Sequence, residues 1–380
     1  MLHGIRLRDG RADWYRNRWV KTTALAGASF VGPSGFDLSA VPANTNVVRH
    51  ADRIMALVEV GLPYEVTPEL ETVGPRDFGG KLTTAMTAHP KRDPVTGALH
   101  FFAYGMAPPY LTYHQLSAAG ELVTSRAVDV PGSTMMHDFA ITQRHVIWLD
   151  LPVVFDLGLV GNTMPYRWDD TYGARLGVMP LGGGETRWFN VDPCYVFHVG
   201  NAHEDTDGRI VLDAIRYSRD GFAVAWPRLG GAAPADTGAP AGPPAAGTLH
   251  RWLLDPSTGA VKETPLDDRE VEFPTVNEGR LGRPTRYLYT VSGSAIIKYD
   301  TRTGSSHVRD LGKAPGEAVF VPAAGVRAED DGWLLSIVTD YSGSASELLV
   351  LDAATVEPVA SVRLPRRVPT GFHGNWFPDA

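Results

Sequence analysis

Apolar residues in this chain come in short runs that alternate with polar ones or stay apolar for four to six positions. Examples are Val146-Ile-Trp-Leu149, Arg209-Ile-Val-Leu-Asp213 and Leu334-Leu-Ser-Ile-Val338. Each run is closed by Gly, Pro, Asp or Asn, and long apolar faces with a 3.6-residue period are absent. Such a pattern predicts many short β-strands joined by tight turns. One strand-and-turn unit recurs. It reads Arg251-Trp-Leu-Leu-Asp-Pro-Ser-Thr-Gly259, then Ile296-Ile-Lys-Tyr-Asp-Thr-Arg-Thr-Gly304, then more loosely Leu348-Leu-Val-Leu-Asp-Ala-Ala-Thr355. In each, Asp ends the strand and nucleates the turn with its side chain, and in the first two Gly supplies a positive φ. The aspartates stand at 255, 300 and 352, steps of 45 and 52 residues. A strand–turn–strand unit repeating every ~40–50 residues is the signature of propeller blades. A fourth match, Asp93-Pro-Val-Thr-Gly97, lies far upstream of the series.

Composition narrows the picture without naming a chemistry. With 43% hydrophobic and 21% charged residues in 380, the chain has ample apolar material for a core, and length allows a single large all-β unit spanning 1–380. Residues 230–248 hold only small residues, Pro and one Asp, so they are expected to form a loop inside that unit rather than part of its core. A net charge of −8 and the lack of a basic stripe disfavour a nucleic-acid partner. The lone cysteine, Cys194, is expected in the core, and a single thiol suits a reducing cytoplasm. No run reaches the ~18 apolar residues of a membrane-spanning helix.

Four of the twelve histidines lie beside strand-like runs rich in small and polar residues: His89, His137, His198 and His373. Their separations of 48, 61 and 175 residues match no local metal motif. In a propeller, however, inner strands of successive blades converge on the central axis, and one histidine per blade would meet its fellows there. Taken alone, the spacing leaves open whether these are ligands or four unrelated histidines.

The blocks around them carry a resemblance. Asn17-Arg-Trp-Val-Lys-Thr22, Ala88-His-Pro-Lys-Arg-Asp-Pro-Val-Thr-Gly97, Met136-His-Asp-Phe-Ala-Ile-Thr142, Phe197-His-Val-Gly-Asn-Ala-His-Glu-Asp205, Glu272-Phe-Pro-Thr-Val-Asn277 and Phe372-His-Gly-Asn-Trp376 together resemble the carotenoid cleavage oxygenases, across essentially the whole chain. The resemblance implies a seven-bladed β-propeller capped by loops and short helices over an apolar substrate tunnel. It implies Fe(2+) bound by His89, His137, His198 and His373, with His203 outside the ligand set. It also implies glutamates behind three of the ligands: Glu59 with His137, Glu272 with His198, and Glu317 with His373. A carboxylate accepting one ring N–H fixes the tautomer and raises the basicity of the other nitrogen, which is the physical reason for such pairs.

The implied reaction splits a C=C double bond of a polyene with O₂ into two carbonyl products, with no catalytic side chain beyond the metal centre. Alternatives of other kinds are a stilbene-cleaving oxygenase, a non-oxidative isomerase and a non-catalytic propeller. Stilbene-cleaving relatives place a lysine where this chain has Val58, which favours a carotenoid or apocarotenoid. Phe139, Trp148, Phe155, Met164, Tyr166, Trp168, Phe197 and Trp376 are candidates for the tunnel wall, and Leu151–Val160 for the tunnel or a bilayer contact. A cytoplasmic protein, peripheral on the membrane and without an obligate protein partner, is expected. Relatives carry a segment before the block that Met1-Leu-His-Gly4 continues, so the resemblance also implies a start inside that block and incomplete closure of the first blade.

Overall fold

The computed structural model describes residues 1–33, 35–229, 246–325, 328–369 and 371–379. Strands that follow one another in sequence pair antiparallel in six sheets arranged as propeller blades. The first blade is Asn46–His50, Arg53–Leu57, Tyr64–Val66 and Thr72–Pro75. The second is Lys91–Arg92, Leu99–Tyr104, Leu111–Leu116 and Leu122–Val128. The third is Ala140–Ile141, His145–Asp150, Arg175–Pro180 and Arg187–Asn190, and the fourth Tyr195–Glu204, Ile210–Tyr217, Gly247–Leu254 and Val261–Glu270. Glu272–Thr275, Tyr287–Ser292, Ala295–Asp300 and Ser305–Asp310 form the fifth. The sixth runs from Ala314–Pro315 and Val319–Pro322 through Gly332–Thr339 and Ser346–Asp352 to Pro358–Arg363.

Seven blades were expected; six are present among the described residues, with a two-stranded hairpin, Leu2–Arg8 with Arg11–Arg18, in addition. The C-terminal segment links that hairpin to blades on either side. Arg6 Nη2 reaches Asp379 Oδ2 at 3.3 Å, Arg49 Nη1 of the first blade donates to the Pro378 carbonyl at 2.7 Å, and Gly374 N donates to Glu317 Oε2 of the sixth blade at 2.9 Å.

Middle strands are buried on both faces because each blade packs between two neighbours. Leu99–Tyr104 is buried at every position, whereas the outermost strand Ser305–Asp310 is almost wholly exposed. That explains why inner runs look continuously apolar while outer ones do not. The recurrent turn occupies one place in the architecture. Asp255, Asp300 and Asp352 each close the strand next to the outermost one of the fourth, fifth and sixth blades, and their carboxylates accept main-chain amides of the turn. Gly259 and Gly304 adopt φ of +83° and +74°; in the looser third copy Val356 takes φ +58° instead. Asp93–Gly97 links the first two strands of the second blade, a different hairpin, which is why it is out of phase.

Two insertions leave the blades. Val153–Phe155 pairs with Tyr166–Trp168 as a hairpin inside the third blade, and Arg219–Leu229 is an 11-residue helix inside the fourth. Gly221 and Pro227 obscure that helix in the sequence; Phe222 and Ala225 anchor it. Of the expected 230–248 loop, residues 230–245 lie outside the described residues, and Gly247 and Thr248 already belong to a strand. Cys194 is buried, as expected, and burial pushes its thiol up to about 12. Among the described residues no helix is long and apolar enough to cross a membrane.

Candidate metal centre

The inner ends of the blades deliver six side chains to one place, and the C-terminal segment adds a seventh. His89 stands just before the innermost strand of the second blade and His137 just before that of the third, while His198 lies within that of the fourth. Glu59 follows the second strand of the first blade, Glu272 opens the innermost strand of the fifth, and Glu317 sits between the two short inner strands of the sixth. His373 comes from the C-terminal segment rather than from a blade, and its amide approaches the Thr45 carbonyl at 3.4 Å.

Each of the three glutamates lies against one histidine. Glu59 bonds His137 Nδ1, Glu272 Oε2 lies 2.6 Å from His198 Nδ1, and Glu317 Oε1 lies 3.1 Å from His373 Nδ1. Ring centroids are 4.6 Å apart for His89–His137, 4.6 Å for His89–His373, 5.1 Å for His89–His198 and for His137–His198, and 4.8 Å for His198–His373. Ligand atoms of His89, His198 and His373 lie within 4.8 Å of one another, as do those of Glu59, His89 and His137. Glu59 enters that second group from behind, since its carboxylate is against Nδ1 of His137 while Nε2 faces His89.

These nitrogens fit a metal ion. Imidazole–metal bonds of about 2.1 Å put neighbouring donor nitrogens about 3 Å apart, and His89 Nε2 lies 3.0 Å from His137 Nε2. His198 Nε2 is buried with no hydrogen-bond partner. An orphaned buried nitrogen costs roughly 1–3 kcal/mol, which a bound cation offsets. Local backbone geometry aims the rings. The pairing of Tyr195–Glu204 with its neighbour slips on both sides of Val199, and this bulge turns His198 out of the ladder. A side chain at Gly200 would meet Leu288 Cδ1 at 2.4 Å, so the bulge needs glycine there.

Hydrogen bonds behind the glutamates complete the arrangement. Tyr104 donates to Glu59 Oε2 at 2.5 Å, and Tyr217 to Glu272 Oε1 at 2.8 Å; the Phe273 amide donates to Glu272 Oε2 at 2.5 Å. Phe273 holds φ at +52°, strained for a non-glycine residue, and its ring packs 5.2 Å from His198 and 5.4 Å from His373. Sequence reading missed the roles of Tyr104, Tyr217 and Phe273; only the Glu272-Phe273 adjacency hinted at one of them. Burial alone would raise Glu59 and Glu272, but His137 and His198 beside them outweigh it and hold both carboxyls below the ordinary range. Burial, with the neighbouring rings adding, holds His89 well below its ordinary value.

These observations agree with what the chain is similar to. Residues 1–378 match the family model described as retinal pigment epithelial membrane protein. A carotenoid cleavage oxygenase of Mycobacterium tuberculosis is 40% identical over 450 residues, covering 100% of this chain and 86% of its own length. The chain belongs to the carotenoid cleavage oxygenase family. The Arabidopsis thaliana carotenoid 9,10(9',10')-cleavage dioxygenase 1 is 33% identical, with 98% of this chain and 78% of that protein covered. Among solved structures, cobalt-substituted Synechocystis apocarotenoid oxygenase superposes with a TM-score of 0.81 at 28% identity, covering 98% of this chain and 86% of the other.

In this oxygenase the tunnel candidates separate into groups. Phe197 meets His137 edge-on at 5.5 Å and so borders the centre. Tyr104, bonded to Glu59, meets Tyr166 at 6.1 Å, and Tyr166 meets Phe155 at 5.9 Å, an aromatic wall running from the centre to the inserted hairpin. Trp168 packs on Phe222 of the helix. Phe139 and Trp148 stack on each other in fully buried core. Met164 is exposed and Trp376 half-buried. The Leu151–Val160 stretch divides: Leu151 and Val153 are buried, while Leu157 is 76% exposed at the tip. His203 is half-buried and outside the cluster.

The carboxylates behind the rings give a direct test. Glu272→Gln keeps the shape but removes the charge facing His198. Metal affinity should fall roughly 10–100-fold, read by titrating cobalt(II) into metal-free protein. An unchanged affinity would show that the carboxylate does not support the ring.

Proposed function

We propose that the metal of this oxygenase is iron(II), held by His89, His137, His198 and His373, and that its substrate is a carotenoid or apocarotenoid. Oxygen-dependent cleavage of a polyene C=C bond is the activity of the family to which it belongs. The observation that carries the iron reading is the convergence of four imidazoles, three of them backed by Glu59, Glu272 and Glu317. Nitrogen donors suit several transition metals, and iron(II) supplies the redox access to dioxygen that no side chain has.

The chain's own residues do the rest. Neutral rings keep their Nε2 lone pairs inward because Nδ1–H is committed to a carboxylate. Phe197, Phe273 and the Tyr104–Tyr166–Phe155 wall offer apolar surface beside the centre, which holds a polyene in place and excludes water. Val58, next to Glu59, is buried and carries no cation to hold a phenolate, which supports a hydrocarbon polyene over a hydroxystilbene. One double bond and one O₂ account for both products, two carbonyl compounds with one oxygen atom each. A cytoplasmic protein resting on a membrane is part of this reading, supported by the exposed apolar side chains of Leu157, Val160 and Met164.

Iron-loaded protein incubated with apocarotenals, carotenoids and hydroxystilbenes should yield pairs of carbonyl products from the first two classes. Their combined mass should equal substrate plus O₂. Cleavage of hydroxystilbenes alone would overturn the substrate, isomerised substrate without O₂ uptake would overturn the oxidative reaction, and a chain that takes up no iron would overturn the metal.

A further inference from the structure

Three of the four histidines are held from behind by a carboxylate at Nδ1. His89 is the exception: among the described residues no carboxylate bonds its ring. What orients it must act through its chain. Two residues after His89, the Lys91 ammonium lies 2.7 Å from Asp138 Oδ1, with side chains 14% and 2% exposed. Asp138 directly follows His137. Its carboxylate also accepts two main-chain amides, Phe139 N to Oδ1 at 2.7 Å and Val199 N to Oδ2 at 2.8 Å. Val199 directly follows His198, at the bulge that turns that ring inward. One buried carboxylate therefore joins the histidine-bearing segments of three successive blades.

We propose that Asp138 is a positioning residue for the metal centre, fixing His89, His137 and His198 relative to one another through the Lys91 ammonium and the Phe139 and Val199 amides. Apolar packing between blades is non-directional, while ligands must be placed to within about 0.5 Å. Charge-assisted hydrogen bonds are short and directional, so they supply what apolar packing does not. The pair stays closed because separating it would leave a buried charge uncompensated. The Lys91–Asp138 tie thus gives the second blade a fixed register against the third, and the Val199 tie does the same for the fourth.

This inference rests on reading the centre as a metal site. The experiment is a cobalt(II) titration of metal-free protein, with the ligand-field absorption spectrum and the thermal midpoint of the metal-free chain recorded for each variant. Asp138→Asn keeps the size but turns an amino group towards one of the three donors. It should weaken cobalt binding roughly 10–100-fold and shift the ligand-field bands. Lys91→Met keeps both amide ties and should weaken binding less, still with a spectral shift. The double variant should bind as weakly as Asp138→Asn; recovery to wild-type affinity would reduce the pair to charge balance and overturn the proposal. A lowered thermal midpoint with unchanged affinity and spectrum would show a merely structural role and overturn it as well. If Asp138→Asn does not fold, Lys91→Met decides by the same two readouts. Wild-type protein that takes up no cobalt overturns the metal-site reading itself, whereas normal wild-type uptake with unaltered variants overturns this inference alone.

Discussion

His198→Ala is expected to fold, to lose metal on desalting and to produce no detectable cleavage products. The ring it removes carries the buried, unpartnered Nε2 and sits on the bulge between neighbouring ladder pairs. The apparent binding energy of a four-ligand structural zinc site, about 10–16 kcal/mol, sets the scale. Sharing that over four nitrogens gives about 3 kcal/mol for each, so affinity should fall by about 100-fold or more. The fold should survive because Glu272 retains the Tyr217 hydroxyl and the Phe273 amide. Burial is then opposed at the Glu272 carboxyl only by the Phe273 amide and the Tyr217 hydroxyl, so that carboxyl moves upward. His203→Ala is the control. It lies on the same strand, half-buried and away from the cluster, and should keep wild-type metal content. Elemental analysis of both variants checks the expectation. Stoichiometric metal in His198→Ala would remove His198 from the ligand set.

Why some of this was legible in the sequence and some was not follows from how each feature is encoded. The turns at Asp255, Asp300 and Asp352 are local chemistry repeated once per blade, so their period showed the propeller. The blade count was less accessible. The Leu2–Arg8 hairpin and the C-terminal segment meet from opposite ends of the chain, through Arg6 and Asp379, and no local pattern announces that contact. The seven metal-centre residues came from the resemblance, because spacing alone left the histidines ambiguous. Glu59 and His137 belong to the first and third blades, and only the closed ring brings them together. Asp138 went unnoticed beside its histidine because its role depends on Lys91 and Val199, one blade away on either side. Phe139 and Trp148 stood only as tunnel candidates on aromatic character, and the two are stacked in buried core. Hydrophobicity reports burial and does not distinguish a core from a lining.

Metal affinity should be flat at alkaline pH and fall about tenfold per pH unit once His137 begins to hold a proton. Burial alone would lower His137, but the Glu59 carboxylate bonded to Nδ1 more than offsets it and holds the ring above its ordinary value of 6.5. His198 is held below, since burial outweighs Glu272, and His89 well below. Below pH 6.5 the metal-free centre therefore carries a proton on His137, whose Nδ1 bonds Glu59 while Nε2 faces His89 Nε2 at 3.0 Å. A cation can use that Nε2 only by displacing the proton. Between pH 6 and 5 the loss should approach about tenfold, with about one proton released per metal bound near pH 6. Stability of the metal-free chain runs the other way. A group raised on folding contributes stability fully below its unfolded value, and that contribution disappears as pH rises through the folded one. Metal-free protein should therefore gain resistance to unfolding from this pair on acidification towards 6.5, while metal-loaded protein loses its metal. Glu59→Gln removes the carboxylate that raises His137 most and should lower that ring, moving the onset of the acid loss to lower pH even as it weakens binding at pH 8. Calorimetric titration in two buffers of different ionisation enthalpy counts the protons directly. An affinity that stays level from pH 8 to 5, or zero proton release at pH 6, would mean that His137 is already neutral and that Glu59 does not hold its proton.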